Sequence, residues 1–341
     1  MPSHFTHTKS YLDVYKLLPD RMQKKYCETW ERHKIFAQGH DFLLMYMFSH
    51  LPSYPQVHAK LKIVEENIQE LAVQYIGFMQ ETSVSDESRF FLYGYLIHHF
   101  LDAKLHPLIV YETGDLRSDK DASALHLLVE NMIDAYLLRK GGVDPRKFKI
   151  HELITSKAAM SAETRAIIDA SFEAAYGLKG FSELFAGYNK TARTFFKALR
   201  YDPHGAKRVL FKPLDVLLMG VFKPSILPCT HDGTECLPYL NIGKEPWTNP
   251  ADAARVSTQS FDELYDEGVR EIARMLSRLD EAIESNATDS ELRAIIPNIS
   301  SISGCECRPG YQLNNVRGTY LPVDPKPPEP LAVSSSTSDH S

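Results

Sequence analysis

The sequence predicts an all-α protein. Apolar residues recur at helical spacing along most of the chain, no segment shows the alternation typical of a strand, and there is no internal repeat. With 341 residues, of which 43% are hydrophobic, the chain can bury a large core. We expect one helical domain over residues 1–324, with candidate metal ligands within 1–140 and C-terminal helices within 150–300. A disordered Pro/Ser-rich tail is expected over 325–341.

The individual helices are predicted from caps, chain breakers and apolar stripes. Pro107 should end the fourth helix because it lacks an N–H and has a fixed φ, and Gly39 suits a turn after the second. Residues 223–256 contain five prolines and little periodicity, so we expect a loop there. The predicted helices cover residues 7–18, 20–38, 56–80, 89–106, 122–139, 162–178, 181–200, 206–222 and 261–285.

The composition limits the function classes. A formal net charge of −6 argues against nucleic acid held by bulk electrostatics, so no stable nucleic-acid partner is expected. The first residues lack a basic segment followed by an apolar one, and no apolar run is long enough to cross a bilayer. The five scattered cysteines are then expected to be reduced, and we expect a cytoplasmic location.

The segment from Tyr93 to Pro107 contains the first candidate site. His98, Asp102 and His106 follow each other at four-residue spacing, so a helix places them on one stripe spanning about 80°. Burying two imidazoles and a carboxylate is costly, and a divalent cation is a usual compensation. The alternative is a polar stripe that faces water. His99 lies about 100° from His98 and is expected to be packed or hydrogen-bonded.

A second helix repeats the pattern with His126 and Glu130. Alone, this pair would be read as a surface hydrogen bond. Two such helices close in sequence favour a shared metal centre between them, formed by packing as an antiparallel pair. Histidine and carboxylate ligands without cysteine favour catalytic over structural zinc.

The order of these motifs resembles the zinc-dependent phospholipase C family, most closely the bacterial branch that starts Met-Pro-Ser and lacks an export signal. Further similarity is found at Leu240-Asn241, Trp247, Pro250 and in the segment Ser260–Tyr265, so the resemblance covers most of residues 1–285. It implies an all-helical bundle, also like that of zinc nucleases, with two or three zinc ions in a cleft. The motifs are Thr6-His7, Gln38-Gly39-His40-Asp41, His98-x3-Asp102-x3-His106-Pro107 and His126-x3-Glu130-x3-Asp134.

The resemblance also implies roles for individual residues. Asp41 would be a ligand and the general base, and Asp102 would bridge two metals. One histidine ligand is expected between Asp41 and His98; we choose His58, which follows Pro55, with His50 as the alternative. The implied metal ligands are His7, Asp41, His58, His98, Asp102, His106, His126 and Glu130.

The chain departs from the secreted members of that family at its start. Those members bind metal through the amine and carbonyl of a mature N-terminal tryptophan, which is missing here. The amine of Pro2, freed by removal of Met1, and the ring of His4 are the candidate replacements. A third metal would need one of these replacements as a ligand.

The chemistry that such a site supports is phosphodiester hydrolysis, by attack of a metal-activated water on phosphorus. The substrate would be a phosphodiester, including phospholipid met at a membrane surface. The apolar block Phe42–Phe48 would either form a lip for acyl chains or belong to the core. The loop Cys229–Cys236 could bind a further zinc, although its spacing matches no structural zinc motif. Two alternatives stay open: a single-strand nuclease-like zinc phosphodiesterase, and a metal-binding helical protein without turnover. The sequence leaves the oligomeric state undetermined.

Overall fold

A computed structural model gives the structure of the chain. The structure describes residues 4–41, 66–82, 84–116, 120–156, 158–198, 206–217, 233–307 and 311–317. His58, His50 and the apolar block Phe42–Phe48 lie outside the described residues, as do Cys229 and the predicted tail over 325–341.

The chain is mostly helical, in agreement with the predicted all-α class. The first helix carries the candidate ligand His7, and a 3-10 helix over Lys34–Gln38 follows the second helix. The helices before and including the central one are α1 (His4–Tyr15), α2 (Asp20–His33), α3 (Ile68–Thr82) and α4 (Asp86–Thr113).

The second half of the chain adds seven described helices, a 3-10 turn and a hairpin. The 3-10 turn Leu237–Tyr239 precedes a hairpin, and a capping box between Ser260 and Glu263 starts the helix after the hairpin. The remaining helices are α5 (Lys120–Lys140), α6 (Ile150–Leu153), α7 (Ala162–Tyr176), α8 (Phe181–Ala198), α9 (Ala206–Leu217), α10 (Phe261–Glu284) and α11 (Asp289–Ile295).

Helix α4 is the centre of the fold. It packs against α1, α2, α3, α5, α7, α10 and the 3-10 helix, and residues on all of its sides are buried. A helix that is surrounded in this way needs apolar residues on all faces, which the run of Phe, Tyr, Leu and Ile residues supplies. Its four central polar residues, His98, His99, Asp102 and His106, are consequently in the protein interior. The expectation of a polar stripe facing water is therefore wrong for this helix.

The structure also corrects the predicted end of α4. The helix runs through Pro107 to Thr113, although proline removes the hydrogen bond to the carbonyl of Ala103. Gly304, which has a φ of 61°, lies so close to that carbonyl that a Cβ at this position would collide with the oxygen. The distant chain segment around Gly304 thus packs against the turn that Pro107 weakens. Sequence reasoning about proline alone missed this support.

The region predicted as loop contains a two-stranded antiparallel hairpin, which is a second correction. The strands are β1 (Trp247–Asn249) and β2 (Asp252–Ser257), with an irregularity in register between Thr248 and Asn249. The first strand has three residues and the second is mainly exposed, so neither shows the alternation that predicts a strand. None of the described helices is long and apolar enough to cross a membrane.

Candidate metal centre

Helix α4 contributes three of the polar side chains at the candidate site. His98, Asp102 and His106 follow one another at four-residue spacing and are all buried, His98 completely. The Nε2 atom of His98 lies 3.2 Å from Oδ2 of Asp102, and Nε2 of His106 lies 3.5 Å from Oδ1 of Asp102. The predicted stripe therefore exists, and Asp102 is at its centre.

Helix α1 adds His7 to this stripe. Its Nε2 atom lies 3.2 Å from Oδ1 of Asp102, and its ring stacks on that of His98 with the centroids 3.8 Å apart. The start of α1 is held by Asp134, whose carboxylate accepts hydrogen bonds from the backbone N–H groups of Phe5 and Thr6 at 2.9 and 2.8 Å. Asp134 thus acts as a cap for α1, although it continues the spacing of the ligand motif in α5.

The turn after the 3-10 helix brings His40 and Asp41 to the same place. Oδ1 of Asp41 lies 3.5 Å from Nε2 of His98, and the ring of His40 is 4.7 Å from that of His98, centroid to centroid. Gly39 makes the turn possible with a φ of 49°, and a Cβ on Gly39 would collide with the His98 ring. Glycine is therefore required at position 39 by the geometry of this turn.

Helix α5 completes the site with the second predicted pair. Oε1 of Glu130 lies 3.0 Å from Nε2 of His126 and 3.1 Å from Nε2 of His106. Since His106 also approaches Asp102, the two helices present one continuous set of side chains. The predicted approach of the polar faces of α4 and α5 is confirmed, and His106, His126 and Glu130 form one group that could hold a metal ion.

Main-chain carbonyls orient two of these imidazoles. Nδ1 of His98 donates to the carbonyl of Ala37 at 3.1 Å, and Nδ1 of His106 donates to that of Ser301 at 2.8 Å. A histidine that donates from Nδ1 keeps the lone pair of Nε2 free, and this arrangement is typical of metal-binding histidines. In both residues Nε2 points at the carboxylates.

Burial and charge have opposite effects on the imidazoles. Burial lowers the pKa of His98, but the charges of Asp41 and Asp102 outweigh it and raise the pKa to about 10. Burial also lowers the pKa of His106, but Asp102 and Glu130 outweigh it and raise the pKa to about 9. Burial dominates at His40 and lowers its pKa to about 3. Without a metal, the set would thus carry both protonated and neutral imidazoles near neutral pH.

The carboxylates are held in their ionised form. Burial alone would raise the pKa of Asp102, but the neighbouring histidines keep it well below the ordinary value. His98 likewise lowers the pKa of Asp41 against the effect of burial. The pKa of Glu130 is also well below its ordinary value, because His126 and His106 outweigh burial. Ionised carboxylates beside imidazole nitrogens are the ligand types that divalent zinc binds.

Several buried atoms of the site lack a hydrogen-bond partner. Nε2 of His98 and the Oδ2 atoms of Asp41 and Asp102 are shielded from solvent, and none of them makes a hydrogen bond to the described residues. Their mutual approaches are ion-pair distances without hydrogen-bond alignment. Three groups could each hold a metal ion: His7, His98 and Asp102; His40, Asp41 and His98; and His106, His126 and Glu130. The side chains present therefore fit a metal centre.

Most residues predicted as ligands lie in these groups. The exception is His58, which is outside the described residues, as is its alternative His50. His40 is a candidate that sequence reasoning did not select, although its position beside Asp41 in the motif was a usable signal. His99 is buried and donates from Nε2 to the carbonyl of Ile299 at 2.8 Å, as expected for a packed histidine.

Of the two additional ligands considered from the sequence, Pro2 lies outside the described residues and His4 belongs to none of the three groups. Its Nδ1 is hydrogen-bonded to Gln38, and burial lowers its pKa to about 4. The Nε2 atom is buried without a hydrogen-bond partner among the described residues. His4 is therefore close to the site but is not placed as a ligand.

Comparisons with protein-family models, with curated proteins and with solved structures found no match for this chain.

Proposed function

We propose that this chain is a zinc-dependent phosphodiester hydrolase that resembles phospholipase C. One observation carries the proposal: five buried imidazoles and three buried carboxylates form a continuous set. Two of the three groups share His98, and the third approaches them through the contact between His106 and Asp102. Solitary buried ion pairs are common in proteins, whereas an assembly of this size with oriented histidines is typical of a multinuclear metal site.

The donor atoms support zinc. All of them are imidazole nitrogens and carboxylate oxygens, with no cysteine in any group of the described residues. This mixture is typical of zinc sites that perform catalysis. Bound zinc ions would polarise the phosphate oxygens and lower the pKa of water towards about 7. The number of ions, two or three, follows from the resemblance.

The side chains would have distinct roles. Asp102 is within 3.5 Å of His7, His98 and His106 and would supply a carboxylate ligand between these histidines; the resemblance implies that it bridges two metals. Asp41 is ionised and its Oδ2 atom is not engaged in a hydrogen bond to the described residues, so it would accept the proton of the attacking water. The substrate class is a phosphodiester, with phospholipid as the expected example.

Metal content is the first test. We expect two to three zinc ions per chain by elemental mass spectrometry, and fewer in Asp102→Asn and Glu130→Gln. His33→Gln is the matched control, because His33 is buried outside all three groups. Less than one metal per chain after zinc supplementation would contradict the proposal. An equal loss of zinc in the control would show that the variants only unfold the protein.

Hydrolysis is the second test. Zinc-loaded protein should cleave bis(p-nitrophenyl) phosphate, and Asp41→Asn should lower kcat by about a hundredfold or more if Asp41 is the general base. Circular dichroism and zinc content of the variant separate this effect from unfolding or metal loss. Full zinc loading without turnover on this diester and on phosphatidylcholine would instead support a metal-binding protein without catalysis.

A further inference from the structure

Helix α9 turns apolar side chains outward. Val209 and Leu210 are each 70% exposed and Leu214 is 40% exposed, whereas Phe211 packs against the core. At 100° per residue, the three exposed side chains fall within an arc of about 140° on one side of the helix. Scattered surface leucines are ordinary, but an apolar stripe along one helix usually marks a contact surface.

The chain around this stripe is strongly basic. Residues 190–217 contain seven Lys or Arg and two Asp, a local net charge of +5 in a chain with a total of −6. Lys212 on α9 is exposed, as are Arg193 and Lys197 on α8. None of these three cations has a carboxylate partner within the part of the chain that the structure describes. The positive charge is therefore available to an external anion.

We propose that α9 binds the surface of an anionic lipid bilayer, with its apolar stripe inserted at the level of the head groups. An amphipathic helix with cations beside an apolar face is the usual structure for this kind of binding. Lipid phosphates would neutralise Lys212 and its basic neighbours, and the acyl region would cover Val209 and Leu210.

Two other occupants fit the surface less well. Nucleic acid would neutralise the cations, but its phosphate backbone would leave the most exposed apolar side chains of the helix in water. A second copy of this chain would cover the apolar stripe, but it would bring two basic segments of the same sign together. Only an anionic membrane satisfies both features. The proposal does not depend on the reaction at the metal centre.

The test is sedimentation of the full-length protein with lipid vesicles. We expect binding to vesicles of phosphatidylcholine mixed with phosphatidylglycerol, little binding to phosphatidylcholine alone, and weaker binding as salt rises. Leu210→Asp and Lys212→Glu should each lower the partition coefficient roughly tenfold or more. Leu17→Asp is the matched control, because Leu17 is 54% exposed outside α9 and should leave binding unchanged.

Other outcomes would overturn the proposal. These are failure of the wild-type protein to sediment with anionic vesicles at low salt, or unchanged binding of Leu210→Asp. A dimer in light scattering that Leu210→Asp dissociates, together with absent vesicle binding, would assign the stripe to a second copy. Binding of an oligonucleotide in place of vesicles would assign the charge to nucleic acid. Zinc content should be equal in all variants, so failure here is distinct from failure at the metal centre.

Discussion

Asp134 provides a sharp test of how the site is assembled. Its carboxylate accepts hydrogen bonds from the N–H groups of Phe5 and Thr6 and from the Thr6 hydroxyl, at 2.8–2.9 Å. The first N–H groups of a helix have no partner within the helix, so Asp134 satisfies them from a different helix. His7 is the next residue. Asp134→Ala should therefore affect both stability and the metal centre.

The expected magnitude follows from these contacts. A hydrogen bond to a charged group contributes about 1.5–3 kcal/mol, and loss of a helix cap costs about 0.5–2 kcal/mol. Asp134 is partly accessible, so water would replace some of the lost bonds. We expect Asp134→Ala to lower the free energy of unfolding by about 2–3 kcal/mol. Looser placement of His7 should weaken zinc binding by about tenfold.

Urea denaturation of metal-free protein and zinc titration with a competing chelator measure the two effects. Asn131→Ala is the matched control, because Asn131 lies on the same helix and, among the described residues, donates only to the carbonyl of Leu127 within that helix. A stability loss in Asp134→Ala within about 0.5 kcal/mol of the control, with unchanged zinc affinity, would refute the reasoning.

Three further predictions concern the turn at Gly39, the protons released when zinc binds, and the ion pairs of Asp280. Gly39→Ala should destabilise the protein by about 1–3 kcal/mol in urea denaturation and reduce its zinc content, because the positive φ and the His98 ring exclude a Cβ. Gly77→Ala is the control: Gly77 lies in a helix with open space around it, so this substitution should be neutral or stabilising. Zinc binding at pH 7 should release about two protons, because the pKa values of His98 and His106 are raised to about 10 and about 9. Affinity should consequently rise with pH, and calorimetry in buffers of different ionisation enthalpy that shows less than one proton released would contradict this. Asp280→Asn should lower the free energy of unfolding by about 3 kcal/mol in urea denaturation, because Asp280 is buried between two arginines and the Tyr93 hydroxyl. A decrease as small as that of an ordinary surface substitution would contradict this prediction.

Helical periodicity explains which parts of the site could be predicted. The four-residue spacing of His98, Asp102 and His106 places them on one face of any helix, whatever surrounds it. The same applies to His126 and Glu130 on α5. That both faces meet was inferred from their proximity in sequence, and the contact between His106 and Glu130 confirms it.

Long-range contacts explain what was missed. The carbonyls of Ala37 and Ser301 orient two imidazoles, but main-chain groups leave no signal in residue type. Where α4 continues through Pro107, it contacts Gly304, which is almost two hundred residues away in sequence. Asp134 repeated the ligand spacing, yet its contacts are with α1, because spacing within one helix says nothing about the partner across the interface.

The contact between Ser301 and His106 also bears on when the site can form during protein synthesis. The two residues are 195 positions apart, and His99 donates to the carbonyl of Ile299, which is 200 positions away. A ribosome-bound chain would expose all described imidazoles of the site long before Ser301 is translated. His106 would lack the acceptor that fixes its tautomer until then, so tight metal loading should await the last part of translation. Early loading by free zinc would then be disfavoured by the order in which the chain emerges.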